Sequence, residues 1–308
     1  MLTKLSTYHH TELSEALLKG TVEMTLGCFS MRIKATDPTL LDFLYDAYRD
    51  VPTNLELSDV TDISLKVHAP NILRRYIRRQ VIADPGFIVP AAPLPPRLSP
   101  LALEMGLNLS VALKCCRFTT FHSAVVAKEK GAILISAHSG GGKSTLASAL
   151  MNDGYRLFSD EFGLMDMSDA SLWAHPRPVS LKGQSIDIVK EFTGAEWITK
   201  TLTGTPKGDI AYRRVRPSDI EESSTPAFAK LILFPTFIEG ASPHARELAK
   251  AESLMKLIPS STNYHLLGEA AFKGLLKLVK GARAYEIVYG STEDSMQMVR
   301  DLASGAGL

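Results

Sequence analysis

An α/β fold, with a strand–loop–helix core and a smaller α+β unit ahead of it, is predicted by three observations. The run Ala132-Ile133-Leu134-Ile135 reads as a buried strand, a glycine-rich turn follows it, and Ser144 to Met151 reads as a helix. A second strand-like run, Tyr155 to Ser159, ends on the acidic pair Asp160-Glu161. Six prolines, Pro85, Pro90, Pro93, Pro95, Pro96 and Pro100, interrupt regular structure and divide the chain into a unit over 1–100 and another over 101–308.

The elements follow in order. Short β-prone runs surround Gly27 between Thr21 and Lys34. Asp37-Pro38 places a capping carboxylate and a first-turn proline ahead of a helix whose apolar side is Leu40, Leu41, Phe43, Leu44, Ala47 and Tyr48. Val60 to His68 adds a strand. Arg74-Arg75-Tyr76-Ile77-Arg78-Arg79 reads as a charged surface face, or as a seat for an acidic peptide. An apolar helix from Leu101 to Cys116 opens the second unit.

A hairpin then pairs His122–Ala127 with Ala132–Ser136 about Lys128-Glu129-Lys130-Gly131, which sets His122 opposite Ala137. The helix after the glycines runs from Lys143 to Asp153 and stops at Gly154. Beyond Met165, Ala229–Phe234 reads as a buried strand, and Ser242-Pro243 starts a helix toward Leu257. His265–Lys280 is a second helix, Tyr285–Tyr289 a strand and Thr292–Leu302 a closing helix.

Chemistry concentrates between Phe121 and Met165. Ala137-His138-Ser139-Gly140-Gly141-Gly142-Lys143-Ser144 matches G-x-x-x-x-G-K-[ST] with alanine in place of the first glycine. Glycines let successive N–H groups converge on phosphate oxygens at a helix N-terminus, where the helix dipole also favours an anion. Lys143 then reaches the β- and γ-phosphates of ATP and Ser144 ligates Mg²⁺, with Ser139, Gly140, Gly141, Gly142 and Thr145 completing the nucleotide contacts. If the strands before Ala137 and Asp160 are parallel, their C-terminal ends open on one side, so Asp160 and Glu161 face the loop. One carboxylate holds Mg²⁺ while another takes the acceptor's proton. His122 falls at the mouth of the loop, to contact a phosphate or move a proton.

The block from His122-Ser123-Ala124-Val125-Val126 through the loop to Gly154-Tyr155-Arg156-Leu157-Phe158-Ser159-Asp160-Glu161 resembles the catalytic core of the HPr kinase/phosphorylase superfamily. His122 stands 21 residues before Lys143, and Asp160 stands 17 after it. The resemblance implies a P-loop kinase core of the HPr kinase/PEP carboxykinase type, catalytic roles for His122 and Asp160, with Asp160 as proton acceptor from a seryl hydroxyl, and self-association into homo-oligomers. The wider chain is similar to the HPr kinase-related kinase A family, associated with ribosomal-peptide-modification gene neighbourhoods. That similarity runs through Pro93-Leu94-Pro95 with Glu104-Met105-Gly106-Leu107-Asn108, Pro176 to Lys182, and Asn263 to Gly268. Glu161 and Thr145 depart from the bacterial enzyme's common aspartate and glutamate, and its arginine-glycine-leucine-glycine segment is missing. These departures leave HPr as substrate and the reverse phosphorolysis open.

The implied activity is transfer of the γ-phosphate of ATP to a hydroxyl, with a serine or threonine of a ribosomal peptide or protein as the favoured acceptor. A free small molecule such as an amino acid, or a nucleotide-gated peptide-binding module without transfer, are the alternatives. Arg177, Lys182, Lys207, Arg213 and Arg214 are candidate phosphate or substrate contacts, because arginine and lysine neutralise the charge of a transferring phosphoryl group.

Composition fits such an enzyme. With 308 residues, 45% of them hydrophobic, and a formal net charge of +1, the chain has material for a sizeable core and no charge bias toward nucleic acid or an anionic membrane. Met1 to His10 lacks a signal-peptide apolar core, and no apolar run approaches a membrane span, so a cytoplasmic location is expected. Cys28, Cys115 and Cys116 make no disulfide framework and read as buried thiols.

Overall fold

The computed structural model describes residues 3–58, 60–89, 91–138 and 140–308. Ser139 of the glycine loop, Pro90 of the connector and Met1-Leu2 of the N-terminus lie outside the described residues. The architecture is mixed α/β, with sheets of six, nine and three strands.

The first sheet uses β1 (Thr3–Lys4), β2 (Val22–Leu26), β3 (Phe29–Ala35), β4 (Pro52–Asn54), β5 (Ile63–His68) and β6 (Ile82–Asp84) in the order β1-β4-β2-β3-β5-β6. Strict alternation along β3 and β5 buries Met31, Ile33, Leu65 and Val67 on one face. Packed with this sheet are α1 (His10–Lys19) and α4 (Ser99–Lys114), with α2 (Pro38–Ala47) lying against both helices, while α3 (Ile72–Tyr76) buries none of its residues. The Asp37 side chain accepts from Thr39 N at 3.0 Å, the cap its sequence predicts. Helix α4, expected to open the second unit, lies against β5 and β6, where Gly106 leaves room for Leu65 and Ala83.

The large sheet contains β7 (Thr119–His122), β8 (Ala124–Lys128), β9 (Gly131–Ile135), β10 (Arg156–Ser159), β11 (Phe162–Met165), β12 (Ser171–Trp173), β16 (Ala227–Phe237), β17 (His244–Glu247) and β18 (Arg283–Tyr289). The small sheet is β13 (Val179–Lys182), β14 (Leu202–Thr205) and β15 (Gly208–Arg213), ordered β13-β15-β14. Helices α5 (Lys143–Asn152), α6 (Ser185–Thr193), α7 (Pro217–Glu221), α8 (Lys250–Leu257), α9 (Tyr264–Leu267), α10 (Glu269–Gly281) and α11 (Thr292–Gly305) complete the chain.

The strands before the loop and before Asp160 do point the same way, as expected. They are not neighbours, since β8 lies between β9 and β10 and is antiparallel to both. With β16 parallel to β9 and to β18, four strand ends open on one edge. Leu231, Leu233, Tyr285 and Ile287 face the apolar cluster that also holds Leu146 and Val299, while Ile232 and Ala284 face the one holding Leu275 and Leu278. The first of these clusters is continuous with the residues buried by the first sheet.

Four expectations are corrected. The run His122–Ala127 is not one strand: it breaks at Ser123, so β8 pairs with β9 while β7 crosses to β11, and His122 stands opposite Phe162 rather than Ala137. Ser242-Pro243 starts no helix. His244–Glu247 pairs with β18 instead, and the helix begins at Lys250. His265–Lys280 is divided at Gly268, whose φ of +55° and ψ of −124° leave the helical region. Of the cysteines, all three are free thiols, Cys115 is buried, and Cys116 is exposed, contrary to expectation. Among the described residues no helix is long and apolar enough to cross a membrane.

Candidate active site

Strand β9, wholly buried, delivers the chain to the sheet edge, and Ser136 N donates to Leu233 O at 2.9 Å, holding the exit against β16. The turn beyond it depends on glycine. Gly140 and Gly142 have φ of +86° and +81°, which side chains other than glycine rarely adopt, and a Cβ on Gly142 would sit 2.6 Å from the Tyr289 hydroxyl. Gly141 N donates to His138 O at 3.0 Å, and Leu146 N donates to Gly142 O at 2.9 Å as α5 begins. The N–H groups of a first helical turn have no partners within the helix. Here that turn carries Lys143, Ser144 and Thr145.

Opposite the loop stand groups from distant parts of the chain. Lys143 Nζ lies 3.0 Å from His122 Nε2. Lysine can only donate, so Nε2 accepts and the imidazole proton sits on Nδ1, which faces Glu161 Oε2 at 3.7 Å. Ser144 Oγ donates to Asp160 Oδ2 at 3.0 Å, and Ser180 N donates to the same oxygen at 3.3 Å. Asp160 Oδ1 is buried with no partner among the described atoms. His122, Gly140, Gly142, Lys143, Ser144, Thr145, Glu161 and Lys182 line a common cavity of about 160 Å³, with Asp160 buried below Ser144.

The electrostatics follow from burial and crowding of charge. Burial, then the neighbouring Glu161 carboxylate, push Asp160 up to about 6, against the opposing pull of Lys143 and the bonds from Ser144 and Ser180. Burial lowers His122, and the Lys143 ammonium lowers it further, so the ring is held neutral and able to accept. Burial also lowers Lys143, offset in part by Asp160 and Glu161.

Not every basic residue expected here arrives. Arg177 is buried away from the cavity, paired with Glu104 at 3.3 Å and bonded to Asn108. Arg213 donates to Ser148 O and to Asn152 Oδ1, and its neighbour Arg216 donates to Met151 O at 2.6 Å, so both close the C-terminal end of α5, where free carbonyls and the dipole favour a cation. Arg214 pairs with Asp46 of α2's flank, and Lys207 sits at the exposed β14–β15 turn. Only Lys182 of that group lines the cavity. His138, Ser180 and Ser185 line it too, without having been singled out. His138 lies inside the loop motif, where its position was a readable signal; Ser180 contributes through backbone, which no residue type announces.

No protein-family model and no curated protein sequence matches the chain. Among solved structures it is similar to the HPr(Ser) kinase/phosphatase from Coxiella burnetii, at 13% identity and a TM-score of 0.27, over 60% of this chain and 94% of that one. The chemistry of the site therefore rests on its own residues.

Proposed function

We propose that the protein is an ATP-dependent phosphotransferase acting on a hydroxyl, with a P-loop core of the HPr kinase/PEP carboxykinase type preceded by a smaller N-terminal α+β domain. The observation that carries this reading is the pair of 3.0 Å contacts, Lys143 to His122 and Ser144 to Asp160, that tie a glycine loop at a helix N-terminus to a buried carboxylate. Phosphoryl transfer demands mainly alignment and charge neutralisation, which such a cavity supplies.

The loop N–H groups and Lys143 bind and orient the triphosphate. Ser144 Oγ with a carboxylate of the Asp160-Glu161 pair fits Mg²⁺, because Asp160 Oδ1 is a buried oxygen without a partner and magnesium commonly rests on one or two carboxylates plus phosphate oxygens. When bound, the cation supplies charge neutralisation at the phosphates. Asp160 takes the acceptor's proton, and neutral His122 orients Lys143 at the phosphates. The favoured acceptor is a serine or threonine of a peptide or protein.

The test is incubation of the protein and its Asp160→Asn variant with ATP, Mg²⁺ and candidate peptides, read by intact mass. One added phosphate in wild type, reduced by about 10²–10⁴-fold in rate in the variant, is expected. Equal transfer by both would remove Asp160 from the mechanism, and none by wild type despite ATP binding would leave a nucleotide-gated binding module.

A further inference from the structure

A second pocket, of about 260 Å³, opens off the phosphate cavity and shares Gly140, Gly142, Thr145, Lys182 and Ser185 with it. It lies away from the acidic side of that cavity, since neither His122 nor Asp160 nor Glu161 lines it. Helices α6 and α11 both pack on α5, and the pocket is the space left between these helices and the ends of β16 and β18.

Its walls are apolar and partly uncovered. Register makes Phe237 and Tyr289 the last pair of the two parallel strands, and their rings sit 6.0 Å apart at 57°. Phe237 is 46% exposed and Ile188 of α6 is 37% exposed, although both are large apolar side chains. Both line the pocket, together with the buried Leu146. Apolar surface left open inside a concave site is surface for a ligand to cover.

The polar groups narrow the class of that ligand. Gln184, Ser185 and Thr292 offer an amide and two hydroxyls, and no carboxylate lines the pocket among the described residues. Its one charged lining residue among them, Lys182, also lines the phosphate cavity. Where the two spaces join, the Tyr289 hydroxyl stands 2.6 Å from the place a Cβ on Gly142 would take, buried and with no partner among the described atoms. Burial pushes Tyr289 up to about 12, so this hydroxyl keeps its proton and can donate to a ligand oxygen. An uncharged, flat group with polar edges suits such a lining.

The direction of the phosphates says which end of the donor enters. Lys143 and Ser144 reach toward His122 and Asp160, which is the γ-phosphate end in the proposed function. A triphosphate laid along the first turn of α5 therefore brings its α-phosphate end to Thr145, at the mouth of this pocket. We infer that the pocket holds the nucleobase of the donor, stacked on Phe237 and lined by Ile188 and Leu146, and that it makes the protein select a nucleoside triphosphate over inorganic polyphosphate. Every nucleobase presents a π-face that an aromatic ring can stack on. The inference rests on the proposed phosphate site for the direction in which the nucleotide lies.

Isothermal titration of the full chain with Mg²⁺ and either a non-hydrolysable ATP analogue or inorganic tripolyphosphate tests it. The probes share three phosphates and differ in the nucleoside. The analogue should bind tighter by about tenfold or more, the scale of one base–aromatic stack. Phe237→Ala with Ile188→Ala should remove most of that advantage and leave tripolyphosphate binding unchanged. Phe237→Leu, which keeps apolar bulk without the ring face, should weaken the analogue by less and again spare tripolyphosphate; a melting curve on each variant separates a lost contact from a lost fold. Equal affinity of the two probes for wild type, or an advantage that survives both substitutions in folded protein, would overturn the inference. Binding of neither probe would remove the phosphate site and this pocket's role with it. Selective binding of the analogue without phosphate transfer to any acceptor would sink the phosphotransferase reading and leave the pocket assigned.

Discussion

The two walls of the phosphate cavity are built in opposite ways. One is a single stretch, with residues 137–138 and 140–145 described, shaped by glycine conformation and the start of α5. The other gathers His122 from β7, the Asp160-Glu161 pair after β10, and Ser180 and Lys182 from β13, residues that meet only because three separate pairings put them there. A contiguous wall can bind an anion by itself; an assembled wall adds the buried carboxylate to which the proposed function assigns proton transfer. Disturbing the first should impair function and spare the fold, whereas disturbing the second should touch both.

The largest expected effect falls on the contiguous wall. Lys143→Met removes the ammonium that faces both walls, and transfer should fall by about 10³-fold or more, as when a group stabilising transition-state charge is lost. The melting temperature should not drop, because burial makes the ammonium costly to hold in the fold. A substantial loss of melting temperature in that variant would break the contrast.

Arg177→Met probes the assembled wall from behind. The Arg177–Glu104 pair is buried on both sides and anchors the segment that continues into Ser180. Removing one partner leaves Glu104 uncompensated and should cost about 3–5 kcal/mol in denaturant unfolding. Adding Glu104→Gln should recover much of it. An Arg177→Met protein of unchanged stability would show that the wall is held by other contacts.

A smaller effect sharpens the role of Asp160. Its folded value near 6 lies above its ordinary 3.8, so its contribution to stability is fully present below about pH 4 and lost as pH rises through 6. Without Mg²⁺, Asp160→Asn should therefore melt above wild type at pH 8, with the gap closing by pH 4. A scan of melting temperature against pH for both proteins checks the sign.

Much of the contiguous wall was legible in the sequence because its determinants are local: glycines for positive φ, an apolar strand before them and a helix after. Asp160 was legible through one inference, the common direction of β9 and β10, which holds although β8 stands between them. What escaped was non-local. An arginine that closes a helix, such as Arg213, and one that would clamp a phosphate look the same in sequence, and Arg177 answers to a glutamate 73 residues away. His122 reaches its lysine by a strand break at Ser123 that an unbroken apolar run conceals. His244–Glu247 adopts β structure because β18 offers an edge, overriding the helix-start reading of Ser242-Pro243.

The break at Ser123 also orders events in time. Strands β8 and β9 form a local hairpin, a structure that closes in about 1–10 µs, and it leads directly into the glycine loop. Strand β7 must wait for β11, about forty residues downstream, and contacts at long sequence separation form more slowly. During synthesis the hairpin that leads into the glycine turn can therefore close before His122 has a partner strand, while the turn's anchor on β16 and the carboxylate wall both wait for later parts of the chain.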